Sequence, residues 1–290
     1  MFGLFKRKGE KPEELSREKG RSGESPRFKE FAAQFQPEEL TILAVTGANG
    51  FSGGRMRDDE LWSLSTGLTA WMEEDSPDIH LGETGLVTLG DEKLLDFLRQ
   101  RVRPDNIIKF RGRVSEDGKR LLLLDLPEPA FDPDLKAILE EQKKPVTFWE
   151  DGLGTFTLDR RVNWFETEVD WLGTQVSLTF DVDEERADCL ANAKVLLAAA
   201  GEWNRRVREF AADDLLSLAN DWNQDLGEED GEPPEITREQ FMERMELESI
   251  EIRGSGEFDF WFGDGELFLG HSIHVSGDLE NGPGEASMEG

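Results

Sequence analysis

The sequence predicts an α+β protein in which an antiparallel sheet packs with an αα-hairpin in a C-terminal domain, preceded by a small mixed, β-rich domain. Three observations carry that expectation. Asn163, Phe165, Thr167, Val169 and Trp171 alternate with Trp164, Glu166, Glu168 and Asp170, the period of a half-buried antiparallel strand. Two consecutive stretches instead space apolar residues for helices: Leu190, Ala193, Leu197 and Ala200, then Trp203, Val207, Phe210, Leu215, Leu218 and Trp222. In the first half, Ile108, Phe110, Gly112 and Val114 alternate with charged residues before a Glu116-Asp117-Gly118 turn, which reads as a β-hairpin. At 290 residues the chain suits two domains better than one.

Taken in order, residues 1–34 are rich in Lys, Arg, Glu, Ser and Gly, too poor in apolar side chains to offset the entropy of ordering, and read as a flexible leader. A β-rich domain is expected over 35–144. It has strands at 41–45 and 68–72, a helix at 91–102 with Leu94, Leu95, Leu98 and Val102 on one face, and the hairpin through 126. Pro127, Pro129 and Pro133 then precede a short helix bearing Leu135, Ile138 and Leu139. A second domain is expected over 145–276. Strands at 154–158 and 162–171 turn at Leu172-Gly173-Thr174 into 176–182, and Gly201 separates the two helices. After an acidic loop at 227–234, Thr237 and Gln240 form a capping-box signature. Strands at 248–252, 257–262 and 266–275 close the domain, and the Gly, Glu and Ser of 277–290 read as a mobile acidic tail.

Composition narrows the function classes. No apolar run approaches the roughly 18 residues a membrane helix needs, and the N-terminus lacks a secretory signal pattern, so a cytoplasmic protein is expected. The single cysteine, Cys189, lies in a helical pattern and reads as a buried, inert thiol. The formal charge is −30 and uneven: residues 1–34 hold nine basic and six acidic side chains, whereas the 66 residues from 225 onward hold 19 acidic and three basic. Such a field repels nucleic acid and steers basic partners inward, though a salt-adapted host would produce the same excess.

Two motifs invite chemistry. The run Thr46-Gly47-Ala48-Asn49-Gly50-Phe51-Ser52-Gly53 fits the glycine fingerprint of dinucleotide-binding dehydrogenases. No apolar helix follows Gly53, no second buried strand with an acidic tip follows about 20 residues on, and the chain has no Tyr for the catalytic role such enzymes give it. The segment therefore reads as a loop, and no cofactor is expected. The second motif runs from Gly263 to Val275 and gathers Asp264, Glu266, His271 and His274, a candidate metal or acid–base site centred on His271. Residues three apart on a strand face opposite sides, so His271 and His274 share an ion only across a bulge, and the structural reading has His271 hydrogen-bonded at a strand start and His274 exposed. Glu166, Glu168 and Asp170 read as a solvated face, because no calcium-loop pattern occurs.

Leu153-Gly-Thr-Phe-Thr-Leu-Asp159, Asn163-Trp-Phe-Glu166, Val169-Asp-Trp-Leu-Gly173, Ala219-Asn-Asp-Trp222, Ile236-Thr-Arg-Glu-Gln-Phe241 and the block from Phe262 to Ile273 resemble an uncharacterised bacterial family, the domain of unknown function numbered 2262. The resemblance spans roughly 146–276, and the first domain resembles the small uncharacterised domain that often precedes it. It implies a bacterial α+β protein and brings no activity; some relatives with the same hairpin look like immunity proteins.

The expectation is thus a non-enzymatic, acidic interaction module of immunity or regulatory type. It would meet a basic protein partner through Trp164, Glu166, Trp261, Asp264 and His271. The alternative is a hydrolase or metal-dependent enzyme centred on His271 with Asp264 or Glu266.

Overall fold

The computed structural model describes residues 25–57, 59–225 and 234–290. The chain divides into two compact units, Met1–Lys144 and Pro145–Gly290, each with its own sheet.

The described part of the first unit opens with helix α1 (Pro26–Ala32). Ser25 caps it by accepting from the Phe28 N–H at 3.1 Å, and Pro26 presets its first turn. This corrects the expectation of a flexible leader to residue 34: Phe28 and Phe35 bury themselves with Leu89 and Leu122, and that burial offsets the ordering cost. The expected flexibility of residues 1–24 lies outside the described residues. Strands β1 (Leu40–Thr46), β2 (Ser52–Gly54), β3 (Trp62–Glu73) and β4 (Ile79–Gly90) precede helix α2 (Glu92–Arg101). Strands β5 (Ile107–Val114), β6 (Arg120–Leu123) and β7 (Glu128–Pro129) precede α3 (Pro133–Gln142). The glycine run after β1 enters β2, which pairs with β3 and opens no helix.

β1 pairs antiparallel with both β3 and β5, β3 with β4, and β5 with β6, while β4 and β6 run parallel. The circuit β1-β3-β4-β6-β5-β1 closes into a five-stranded barrel. The barrel strands, counted along the chain, lie in the order 1-2-3-5-4, with a helix between the third and fourth. This is the arrangement of the OB-type Greek-key barrel. Ile42, Leu64, Leu68, Leu86, Phe110 and Leu121 fill it, and α2 adds Leu94, Leu95 and Leu98 to the same core. Leu135 and Leu139 of α3 pack on Leu43, Val45, Ala70 and Met72, the opposite side of the β1 and β3 alternation.

The second unit is a single open sheet with helices inserted midway. Strands β8 (Thr147–Glu150), β9 (Gly154–Asp159), β10 (Trp164–Trp171) and β11 (Thr174–Asp181) lead into α4 (Arg186–Ala198), α5 (Ala200–Asp225) and α6 (Arg238–Arg244). Strands β12 (Glu246–Ile252), β13 (Glu257–Gly263), β14 (Ser272–Asp278) and β15 (Gly282–Glu289) follow. The spatial order is β15-β14-β13-β12-β11-β10-β9-β8. Among the described strands of this unit only β11 and β12 run parallel, because α4, α5 and α6 lie in the crossover between them. The inward row Phe156, Phe165, Phe180, Phe258, Phe260, Phe262 and Ile273 packs on Leu190, Trp203, Val207, Ala211 and Phe241 from the helices.

The helix break falls at Ala199, two residues before Gly201. The capping box at Thr237 forms with both of its hydrogen bonds. The acidic loop expected at 227–234 lies outside the described residues apart from Pro234.

Two expectations near the C-terminus are corrected. The strand expected from Glu266 begins only at Ser272, because Glu266 and Leu269 take left-handed backbone at φ 67° and 58° and the carboxylate of Asp264 gathers the intervening N–H groups. The stretch expected to be a mobile tail from Gly277 finishes β14 and then forms β15. Asp278 accepts from the backbone N–H groups of Glu280 and Asn281 in the turn, and Ala286 and Met288 pack on the core. Edge pairing and two inward side chains stabilise what composition alone marks as polar.

Candidate interaction surface

Because strand side chains alternate, each inward aromatic of the second unit leaves a neighbour on the outer face, opposite the helices. The strand register assembles those neighbours into cross-strand rows. In one row Glu166 lies opposite Thr179, Thr179 beside Glu251, Glu251 opposite Asp259, and Asp259 opposite Ser276. In the next, Glu168 lies opposite Ser177, Ser177 beside Ser249, Ser249 opposite Trp261, and Trp261 opposite His274. Trp164 and Asp181 face each other on the other side of the Glu166 row. The alternation read from the sequence thus becomes one face of carboxylates, hydroxyls and aromatic rings.

Its centre is a chain of ionic contacts. Arg253 donates through Nη2 to Glu251 Oε1 at 2.9 Å, and its Nη1 lies 2.7 Å from Asp259 Oδ2. The other oxygen of Asp259 meets His274 Nε2 at 2.7 Å, and the His274 ring stacks on Trp261 with centroids 4.2 Å apart. Ser177 Oγ donates to Glu166 Oε1 at 2.7 Å. Burial pushes the Glu251 carboxyl above its ordinary range; Arg253 works against that shift, while Asp259 and Asp181 add to it. Asp259 and Glu251 together share the guanidinium of Arg253. A histidine on a buried carboxylate is also half of a general-base arrangement. Ser287, opposite His274 in the register, gives its hydroxyl to Glu289 at 2.9 Å instead, and Asp259 is the hydrogen-bond partner of the imidazole.

The residues singled out from sequence separate into two groups. Trp164, Glu166 and Trp261 lie on the outer face, though both tryptophans are half-buried and the Trp164 indole N–H is enclosed without an acceptor among the described residues. Asp264 and His271 do not join them. Asp264 is buried, and its carboxylate accepts from the backbone N–H groups of Phe268 at 2.5 Å, Gly270 at 3.1 Å and Glu266 at 3.3 Å. Gly265 beside it, at φ 53°, admits no side chain, since a Cβ there would stand 2.3 Å from the Arg244 carbonyl oxygen. Glu266 is exposed. His271 packs edge-on against Trp222, with centroids 5.5 Å apart. Among the described residues no hydrogen bond or ion pair links His271 to Asp264 or Glu266, and no three His, Cys, Asp or Glu side chains converge as a metal site would require.

His274, expected to be exposed, has a side chain only 20% accessible. The sequence reading also missed Arg253 and Asp259. One signal for Asp259 was present: a lone carboxylate inside the Phe258–Phe262 run, two residues from Trp261 and so on the same face.

Two family models match the chain. Residues 150–288 match one described as an uncharacterized protein conserved in bacteria (DUF2262), and residues 27–142 match a domain of unknown function, DUF7021. No curated protein matches. Among solved structures, the wild-type single-stranded DNA binding protein from Thermus aquaticus aligns at 11% identity with a TM-score of 0.22, covering 49% of this chain and 73% of that one. A likeness of that size carries no argument about this chain.

Proposed function

We propose that this chain, whose C-terminal domain belongs to DUF2262 and whose N-terminal domain belongs to DUF7021, is a non-enzymatic bacterial interaction protein of immunity or regulatory type. Its C-terminal domain would present the outer sheet face to a basic protein. The observation that carries this reading is the ionic centre of that face, where Glu251 and Asp259 share Arg253 beside the Trp261–His274 stack. An incoming arginine or lysine would add a second cation to that carboxylate pair next to an aromatic surface, the pairing that anchors many interfaces. The wider field acts in the same direction, since residues 145–290 hold 35 acidic and 10 basic side chains and steer cations toward the domain from a distance.

The test uses the full chain and a Glu166→Lys, Glu168→Lys double variant, both exposed to bacterial lysate at low salt. A partner that the wild type retains, that high salt releases and that the variant fails to retain supports the reading. Equal retention by wild type and variant, or no salt-released partner at all, overturns it.

A further inference from the structure

Arg208, on α5, lines a cleft of about 470 Å³ together with Trp171, Asn204, Leu247, Glu246 and Glu248. Part of its role is structural. Nη1 donates to the carbonyls of Met242 at 2.5 Å and Met245 at 2.6 Å and so caps the C-terminal end of α6, while Nε donates to Asn204 Oδ1 at 3.0 Å. The guanidinium carbon also sits 5.3 Å from the Phe262 ring centroid. Capping accounts for Nη1 and Nε and leaves the two N–H groups of Nη2 without a protein partner among the described residues. Among the described residues no carboxylate pairs with this half-buried cation, and burial holds its pKa below the ordinary arginine value. A partly desolvated charge answered only by neutral groups carries a cost, and an anionic group reaching it offsets that cost.

The rim decides which anion. Glu246 and Glu248 line the same cleft and oppose a dianion such as phosphate, but they favour a ligand that brings a positive group beside its negative one. The volume suits a small molecule, and Trp171 and Leu247 supply apolar wall.

We propose that this cleft binds a small zwitterion of the amino-acid class, with its carboxylate on the Nη2 N–H groups of Arg208 and its ammonium group toward Glu246 and Glu248. A free amino acid and the paired termini of a short peptide share this chemistry.

The Trp171 indole N–H donates to the same Asn204 oxygen that Arg208 Nε uses, at 3.3 Å, so its amide-type NMR signal reports on the site without any mutation. The experiment titrates the full chain, labelled with ¹⁵N-tryptophan, with L-leucine, L-lysine, a Leu-Leu dipeptide, acetate and inorganic phosphate at constant ionic strength. The expected result is a saturable shift of the Trp171 signal with leucine, lysine or the dipeptide. Acetate should bind about two- to fivefold more weakly, the value of one exposed ion pair, and phosphate should give no saturation. The stronger of the single amino acids and the dipeptide identifies the source. Glu248→Gln, an exposed change that leaves the cap intact, should weaken zwitterion binding severalfold and leave acetate binding no weaker. Absence of saturation with all three zwitterions, or phosphate binding at least as tightly as they do, overturns the proposal.

Discussion

Asp264 shows how the role of a residue depends on what its oxygens touch. In sequence it is an acid near two histidines; in the fold its carboxylate is consumed by three backbone N–H groups of the turn that follows. Asp264→Ala should therefore destabilise the second unit by about 3 kcal/mol in urea unfolding, as buried donors lose their acceptor. A variant as stable as wild type would contradict that assignment. Cys189 behaves as its helical pattern foretold. It is fully buried, and burial, with help from Glu184 and Asp188, pushes its thiol up to about 11. At pH 8 about one thiol in a thousand is then ionised, so the native protein should react with iodoacetamide orders of magnitude more slowly than the urea-unfolded chain. Asp259 and Arg253 were illegible as a pair, because the pairing of β12 with β13 brings them together and no local pattern announces it.

At the scale of elements, periodicity located strands whose apolar residues alternate or run together and missed β4 and β15, where glycine dilutes the pattern. β10 and β11 were readable because apolar and polar residues alternate along them. β4, with Gly82, Gly85 and Gly90 in its length, has a weak pattern and is held by pairing with β3 and β6 around the barrel. β15 was read as tail for the same reason. Its amides paired with β14 should show hydrogen-exchange protection well above that of a free terminus; exchange at the unprotected rate would refute the pairing. The face built by β11 to β14 also makes a pH prediction. The folded-state pKa of Glu251 lies above its ordinary value of 4.5, so its stabilising contribution is complete below that pH and is lost as pH rises through the folded value. Glu251→Gln should accordingly gain stability relative to wild type as pH climbs from 4.5 toward neutrality, and match it in acid. An unchanging difference across that range in urea melts would remove burial as the cause.

At the scale of the molecule, the division at Lys144 and Pro145 predicts that residues 145–290 fold when expressed alone. A single cooperative urea transition for that fragment is the expected outcome, and a chain without near-ultraviolet dichroism would contradict it. Composition, the break in pattern near Pro145 and the alternation of β10 and β11 determined by themselves an acidic α+β chain and most of its helices. They did so because helix and strand periods are local properties of sequence. Closure of the five-stranded barrel, the order of the eight-stranded sheet and the meeting of Glu251, Arg253, Asp259, Trp261 and His274 were decided only by tertiary structure. Each depends on which strands pair and in what register, and no local period of the sequence fixes either.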